Sequence, residues 1–295
     1  MRRRVVQWAS LLLGNAYLPG FLRGGIYKGP LKSFCVPGLN CYSCPGALGA
    51  CPLGALQAVL GAARFHFSFY VVGTLMAFGA LLGRAVCGWL CPFGLMQELV
   101  HRISPFRRRE PTPAARRWPR GVKYVLLLVF VVAIPLSGKR VGDPGFCKYI
   151  CPAGTLTAGL PLLAANPPMR GAVGDLFALK LAVAAAVIAG CLRISRFFCR
   201  YLCPLGAVYG LFNKSSFYRL RLQRERCVRC GACAQICPMG IDPSRTPDSA
   251  ECVRCGDCVR ACRFAALAAG FRGPEAGSAD GERHIPRANP PLSPE

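Results

Sequence analysis

The sequence predicts an α-helical integral membrane protein of about four transmembrane helices, arranged as two duplicated two-span units, followed by a small α+β domain. Three observations carry that expectation. Hydrophobic residues make up 53% of the 295 positions and fall in long runs. The tetrapeptide Cys-Pro-x-Gly occurs four times in the apolar region, beginning at Cys51, Cys91, Cys151 and Cys203. Two quartets of cysteine follow, Cys227 to Cys237 and Cys252 to Cys262.

Four segments approach the ~20 apolar residues that a bilayer crossing needs, with roughly 17 as the lower edge. They are residues 5–22, 65–82, 118–138 and 176–192. The first follows Arg2, Arg3 and Arg4 and is interrupted by Gly14-Asn15. No small-x-small cleavage site follows it, so it reads as a retained anchor and not a signal peptide. The apolar part of the third begins at Tyr124, which places Trp118 and Lys123 at the interface. Lys180 lies one turn inside the fourth, where a lysine can snorkel to the headgroups.

Lys and Arg total 37 against 13 Asp and Glu, a net charge of +24. The basic residues fall between the apolar runs and not along one amphipathic face. This argues against nucleic acid and for basic cytoplasmic loops. Segment 83–121 holds Arg84, Arg102, Arg107, Arg108, Arg109, Arg116, Arg117 and Arg120, and Arg193, Arg196, Arg200, Lys214, Arg219 and Arg221 follow the fourth span. Both segments, with the C-terminal domain, are therefore assigned to the cytoplasmic side of a bacterial or archaeal inner membrane, and residues 23–64 and 139–175 to the outside.

The quartets read Cys227-x2-Cys230-x2-Cys233-x3-Cys237-Pro238 and Cys252-x2-Cys255-x2-Cys258-x3-Cys262. Three thiolates at this spacing wrap three corners of an iron–sulfur cube, and the fourth cysteine of each run ligates the other cube. One [4Fe–4S] cluster is expected on Cys227, Cys230, Cys233 and Cys262, the second on Cys237, Cys252, Cys255 and Cys258. Zinc ribbons space their C-x2-C pairs by a long gap instead. The C-terminal domain is thus expected to be an α+β two-cluster ferredoxin-like domain over residues 216–270. It follows a transmembrane region over 1–215 and precedes a disordered tail over 271–295, rich in Gly, Pro and Ala.

Three Cys-Pro-x-Gly motifs extend to C-x3-C-P: Cys87/Cys91, Cys147/Cys151 and Cys199/Cys203. Cysteines at i and i+4 share one face of a helical turn. The proline keeps the second cysteine out of the α conformation and begins the next helix at its first position. Cys87, Cys91, Cys199 and Cys203 fall on one side of the proposed topology, so they are expected to hold one further cluster. Cys35, Cys41, Cys44, Cys51, Cys147 and Cys151 fall on the other. Cys147 and Cys151 could join Cys41, Cys44 or Cys51 around a second cluster, or these thiols could form disulfides on an oxidising outer face. Cys191 has no repeat partner and reads as packing.

The Cys87-Gly-Trp-Leu-Cys91-Pro-Phe-Gly and Cys199-Arg-Tyr-Leu-Cys203-Pro-Leu-Gly motifs, followed by a two-cluster ferredoxin pattern, resemble the NapH-type membrane ferredoxins. That superfamily also includes the membrane parts of NosR-like and CcoG-like proteins. The likeness runs from about residue 65 to 262. It implies electron transfer between membrane quinol and a redox partner, and it is carried over to the two inner motifs and the ferredoxin cysteines alone. The segment 35–51 lies outside that pattern.

The function expected is that of an electron-transfer subunit, not a stand-alone enzyme. It would pass electrons between a cytoplasmic or quinone donor and a redox partner protein. The alternative is a redox-active assembly or regulatory factor for the maturation of another metalloenzyme. Only three histidines occur, His66, His101 and His284, which argues against haem. Glu98 and His101 read as a solvated interfacial pair, with a quinone site as the sharper alternative. The stretch 107–120, with Pro111, Pro113 and Pro119, reads as a linker between the halves.

Overall fold

The computed structural model describes residues 2–62, 69–105, 118–137 and 144–271. His66, His284, most of the linker and the tail from residue 272 lie outside the described residues. The principal helices are α1 (Arg2–Gly14), α2 (Pro52–Leu60), α3 (Phe69–Leu82), α4 (Pro92–Ile103), α5 (Val122–Leu136), α6 (Pro152–Ala165), α7 (Asp175–Arg193) and α8 (Pro204–Leu211). The C-terminal part pairs β1 (Tyr218–Leu222) with β2 (Leu267–Phe271), antiparallel, with Tyr218 opposite Phe271 and Leu222 opposite Leu267. Between the strands lie two one-turn helices, Ala232–Gln235 and Asp257–Ala261. This is the α+β arrangement expected.

Among the described residues one helix, α7, is long and apolar enough to cross a membrane. Its 19 residues extend about 28 Å at 1.5 Å per residue. The apolar helices α3, α5 and α6 are shorter. The first expected span is not one helix: the chain leaves α1 after Gly14 and restarts at Pro19–Arg23, a break at the Gly14-Asn15 pair. Helix α6 lies in a segment that the sequence reading left between spans.

Helices α5 and α6 each contain π-helical turns, at Leu127–Ala133 and Thr155–Gly159. Pro135 and Pro161 explain them. Each proline removes an N–H and crowds the carbonyl one turn earlier, and a locally widened turn relieves that clash.

All four Cys-Pro junctions fold alike. Cys51, Cys91, Cys151 and Cys203 are extended, with ψ of 126°, 115°, 109° and 110°, and proline opens α2, α4, α6 and α8. Three junctions are preceded by a one-turn helix: Ala85–Trp89, Gly145–Tyr149 and Phe197–Tyr201. In each, the N–H of the second cysteine reaches back five residues: Cys91 to Val86, Cys151 to Phe146 and Cys203 to Phe198. Ahead of Cys51, which lacks a cysteine four positions earlier, the chain forms turns around Pro45-Gly46 instead.

One hydrophobic core joins both regions. It runs from Leu39, Leu53 and Phe146 through Val86, Phe93, Phe198 and Tyr209 to Met239 and Val253 of the C-terminal part. A methyl group on Gly88 would lie 2.2 Å from the Val253 carbonyl oxygen, and one on Gly210 2.8 Å from that of Ala250. Glycine is required at these two backbone approaches. Two expectations change here. Lys123 is fully buried and pairs with Glu251, so it does not sit at an interface. Lys180 does not snorkel away; its Nζ reaches within 4.0 Å of the position a Cβ would take on Gly154, beside Cys151.

Candidate metal centres

Cys87, Cys91, Cys199 and Cys203 line one small cavity together with Arg84 and Gly38. The four cysteines come from the one-turn helices Ala85–Trp89 and Phe197–Tyr201 and from the junctions after them. Arg84 and Arg196, three residues before each motif, are fully buried and cross over: Arg84 Nη2 donates to the Cys199 carbonyl at 2.6 Å, and Arg196 Nη1 to that of Cys87 at 2.9 Å. Each arginine is matched by a carboxylate, Arg84 by Glu251 at 2.7 Å and Arg196 by Glu98 at 2.7 Å. Arg3 holds the same Glu98 at 2.9 Å.

Burial by itself would raise the Glu98 carboxyl, but Arg196 and Arg3 outweigh it and hold it below its ordinary value. The His101 ring Nδ1 lies 3.0 Å from the Cys191 carbonyl oxygen. Glu98 and His101 are therefore packed partners of the site and not a solvated pair.

Gln97, fully buried in α4, binds the site on two sides. Its Nε2 donates to Cys199 Sγ at 3.0 Å, and its Oε1 accepts the Phe198 N–H at 3.0 Å. Cys191 turns its thiol to the same Oε1 at 3.7 Å, which gives the cysteine without a repeat partner a place beside the site.

A second small cavity is lined by Cys237, Cys252, Cys255 and Cys258. These are the four cysteines expected to share a cluster. Arg254 and Gly256 in this loop have positive φ, 49° and 79°, and Arg229 and Gly231 repeat the pattern at 54° and 77° in the first quartet. Such left-handed steps turn successive N–H groups into a concavity that suits an anion. Cys233 and Cys262 pack into the small core beside Cys252 and Cys258. Cys227 is half-buried and Cys230 exposed, so this first set lies at the surface.

On the side of α7 near Lys180, Cys51, Cys147 and Cys151 come together with Cys41. A Cβ on Gly54 would lie 3.8 Å from Cys147 Sγ, and one on Gly154 3.6 Å from Cys41 Sγ. Cys147, Cys41 and Cys51 all act electrostatically on Cys151. Cys44 points elsewhere, toward Asn15 Oδ1 at 3.7 Å. Cys35 forms a bridge with Ala50. None of the 19 cysteines is paired in a disulfide.

Among the described residues no three His, Cys, Asp or Glu side chains converge on a point that could hold a single metal ion. A cube takes each thiolate on a different iron, so its ligands stand apart around a volume. The two cavities have that form. The Arg84 side chain lines the first of them, and its Nε is buried without a hydrogen-bond partner, a donor left over beside a site suited to an anion. Burial pushes the Cys87 thiol up to about 12 and the Cys51 thiol likewise to about 12. Such thiols become ligands when metal stabilises the thiolate. The residues present fit iron–sulfur clusters.

A 4Fe-4S binding domain model matches residues 49–70, 65–113, 122–165 and 176–225, more than half of the chain, and a second 4Fe-4S binding domain model matches 221–241. The chain is 31% identical over 199 residues to the methylamine utilization ferredoxin-type protein MauN of Methylorubrum extorquens, across 66% of this chain and 58% of that one. It is 24% identical over 239 residues to the ferredoxin-type protein NapH of Escherichia coli, across 80% and 73%. A putative electron transport protein of the same organism, YccM, is 31% identical over 64% of this chain and 49% of its own length. The chain spans about three fifths of the length of several relatives, 58% for this MauN and 61% for an uncharacterised protein of Methanocaldococcus jannaschii. No solved structure matches it.

Fold and sites together define a 4Fe–4S protein in which a helical region and a small α+β domain share one core. The chain belongs to the NapH-type family of ferredoxin-type proteins.

Proposed function

We propose that this chain is a membrane-bound iron–sulfur electron-transfer protein, passing electrons between a cytoplasmic or quinone donor and a redox partner. The observation that carries the reading is the seam between two cysteine sites. Val253, flanked by Cys252 and Cys255, packs its carbonyl against Gly88, the residue after Cys87. Trp89 Nε1 donates to the Arg254 carbonyl at 3.0 Å, and Asn213 ties the Cys252 carbonyl to the Arg84 N–H, both at 2.8 Å. The proposed ligands are Cys227, Cys230, Cys233 and Cys262 for the surface cluster; Cys237, Cys252, Cys255 and Cys258 for the second; and Cys87, Cys91, Cys199 and Cys203 for the third.

Clusters bound at these sites supply one-electron acceptance and release. The chain's own residues keep the second and third sites largely buried and hold all three in sequence. Exposed Arg224, Arg226, Arg229 and Arg263 surround the surface set and suit an acidic protein partner by electrostatic steering. The membrane reading is supported by α7, whose apolar window is only 17% buried by protein, and by outward Leu12, Leu13, Leu22 and Phe69. A quinone donor is supported by an apolar cavity of about 400 Å³ between α1 and segment 36–40, which reaches Pro92 beside Cys91. That volume is within the usual range for small-molecule sites, roughly 300–1,000 Å³. The names of the relatives, ferredoxin-type and electron transport, support the same role.

Anaerobic purification in detergent, with iron and acid-labile sulfide assayed per chain, tests the reading. Three clusters give about twelve irons, and Cys199→Ser removes about four. Onward reduction of an acceptor is then lost while the ferredoxin pair still reduces. A count of about eight that Cys199→Ser leaves unchanged overturns it. Co-purification with a redox partner in equal amount separates this role from that of an assembly factor, which would associate substoichiometrically.

A further inference from the structure

The two halves of the helical region repeat more than their cysteines. Gln97 is the seventh residue of Cys91-Pro-Phe-Gly-Leu-Met-Gln97, and Gln57 the seventh of Cys51-Pro-Leu-Gly-Ala-Leu-Gln57. Both glutamines are fully buried. Gln57 Nε2 donates to Cys147 Sγ at 3.3 Å, its Oε1 accepts the Phe146 N–H at 2.9 Å, and its Nε2 also reaches the Leu53 carbonyl at 3.2 Å. Gln97 makes the equivalent bonds with Cys199, Phe198 and Phe93 at 3.0, 3.0 and 3.3 Å. Phe146 and Phe198, the residues before those cysteines, meet with ring centroids 6.5 Å apart. Cys51, Cys147 and Cys151 thus stand where Cys91, Cys199 and Cys203 stand, in a second copy of one device. The position of Cys87 has no direct equivalent, because Ala47 occupies it.

Cys41 supplies the missing corner. Its sulfur faces Gly154, and Gly54 faces Cys147, so the glycine of each Cys-Pro-x-Gly looks onto a cysteine from the other segment. Charge completes the argument. Lys32 is 6% exposed, donates to the Ala47 carbonyl at 2.8 Å, and lies close enough to Cys41 and Cys44 to act on them electrostatically. Lys180 acts in the same way on Cys41 and Cys147. Among the described residues no carboxylate pairs with either lysine, whereas both arginines of the first site have one. Lys32, the buried one of the two, requires a counter-charge. Thr155, one turn beyond Cys151, is fully buried with its hydroxyl unpartnered.

We infer that Cys41, Cys51, Cys147 and Cys151 hold a further [4Fe–4S] cluster, with Gln57 donating to its Cys147 sulfur, Lys32 and Lys180 as its cations, and Cys35 and Cys44 outside the ligand set. This rests on the electron-transfer reading above and extends it. Lys180 beside this site and Cys191 beside the other are eleven residues apart on α7, roughly 16 Å of helix. The cluster therefore becomes the far end of a chain of sites that begins at the protein surface.

The test uses the full chain, purified anaerobically in detergent. The wild type is expected to carry about sixteen irons, and Cys41→Ser and Cys147→Ser each to lose about four and the same paramagnetic signal. Cys35→Ser and Cys44→Ser keep both. Gln57→Leu, which leaves all ligands in place, retains the iron and lowers the midpoint potential of that one signal, because a donor to sulfur has been removed. A wild-type count of about twelve that Cys147→Ser does not reduce overturns the inference and leaves the electron-transfer reading standing. So does a disulfide joining any two of the four cysteines in non-reducing peptide mapping. A count of about eight, unaffected by Cys199→Ser, overturns both.

Discussion

The two four-cysteine sites of the helical region share a plan and differ in what surrounds it. At the Cys87/Cys91/Cys199/Cys203 site, both motifs have a one-turn helix, and buried Arg84 and Arg196 span them with Glu251 and Glu98 as counter-charges. At the Cys41/Cys51/Cys147/Cys151 site, only the Cys147 motif has that helix, turns take its place before Cys51, and two lysines with no carboxylate partner among the described residues stand in for the arginines. The first site is a charge-balanced frame locked to the C-terminal domain. The second, as inferred above, would draw on the loop cysteine Cys41 and on the charge of a bound cluster to balance Lys32. Four comparisons distinguish the two.

The largest contrast is expected from the cations. Arg196→Leu leaves Glu98 buried with Arg3 alone and removes the donor to the Cys87 carbonyl. Breaking a buried pair costs about 3–5 kcal/mol, so loss of the first site's iron and a clearly lower unfolding temperature are expected. Lys32→Met gives up one hydrogen bond to Ala47, a cost of about 1–3 kcal/mol where a buried acceptor is left unmatched. Thermal unfolding of both variants, with cluster absorbance followed in parallel, checks the order. Equal effects would mean that the arginine frame is not the distinguishing feature.

Next is the seam that only the first site has. Gly88→Ala drives a methyl group into the Val253 carbonyl, which is backbone and cannot yield as a flexible side chain would. Overpacking of this kind costs about 1–3 kcal/mol. Iron content should remain, while transfer between the C-terminal cysteine sites and the first site slows. Gly73→Ala, where a new Cβ meets nothing within 4 Å, is the silent control. Unchanged kinetics in Gly88→Ala would dissociate this seam from the electron path.

Much of this contrast was legible in the amino acids, and some of it was not. The Cys-Pro spacing announced four helix starts, because proline has only one comfortable place there, and the quartet spacing drew Cys237 toward Cys252, Cys255 and Cys258. The break after Gly14 was visible as a Gly-Asn pair, yet the apolar run around it argued for one continuous span. The glutamines were missed. A single Gln in an apolar helix has no periodic signature, although its recurrence as C-P-x-G-x2-Q at Cys51 and Cys91 was there to be found. Lys180 and Lys123 were read by their distance from the ends of apolar runs. Tertiary contacts with the Gly154 turn and with Glu251 decided their places instead. Which loop cysteine would complete the second site was out of reach, because Pro45-Gly46 and the turns around it set that geometry through packing on distant residues.

The glutamines give a smaller and more local contrast. Gln97→Leu and Gln57→Leu each remove a donor to sulfur and leave the N–H of Phe198 or Phe146 unmatched, at about 1–3 kcal/mol apiece. Each should lower the potential of its own site alone. The shift at the first site should be the larger, since Gln97 lies closer to its sulfur, 3.0 Å against 3.3 Å, and its Oε1 also takes the Cys199 N–H at 3.4 Å. Redox titration followed by electron paramagnetic resonance resolves the two. A shift of both signals in either single variant would mean that the sites are not independent units.

The smallest effect is expected from acid, and it again separates the sites. Because Arg196 and Arg3 hold the Glu98 carboxyl below its ordinary value, the ion pair contributes fully above the unfolded-state pKa, about 4.3 for glutamate. Its contribution is lost only as pH falls through the lower, folded-state value. From pH 8 to pH 5 the pair should therefore leave stability flat, and below that range the first site should weaken. Glu98→Gln removes that acid limb along with the charge, so the variant starts less stable at pH 7 and changes less on acidification. The Lys32 and Lys180 site has no carboxylate pair among the described residues and should show no such limb. Unfolding of wild type and Glu98→Gln from pH 8 down to about pH 2 measures this directly. A Glu98→Gln profile parallel to the wild type would show that the acid response of the first site originates elsewhere.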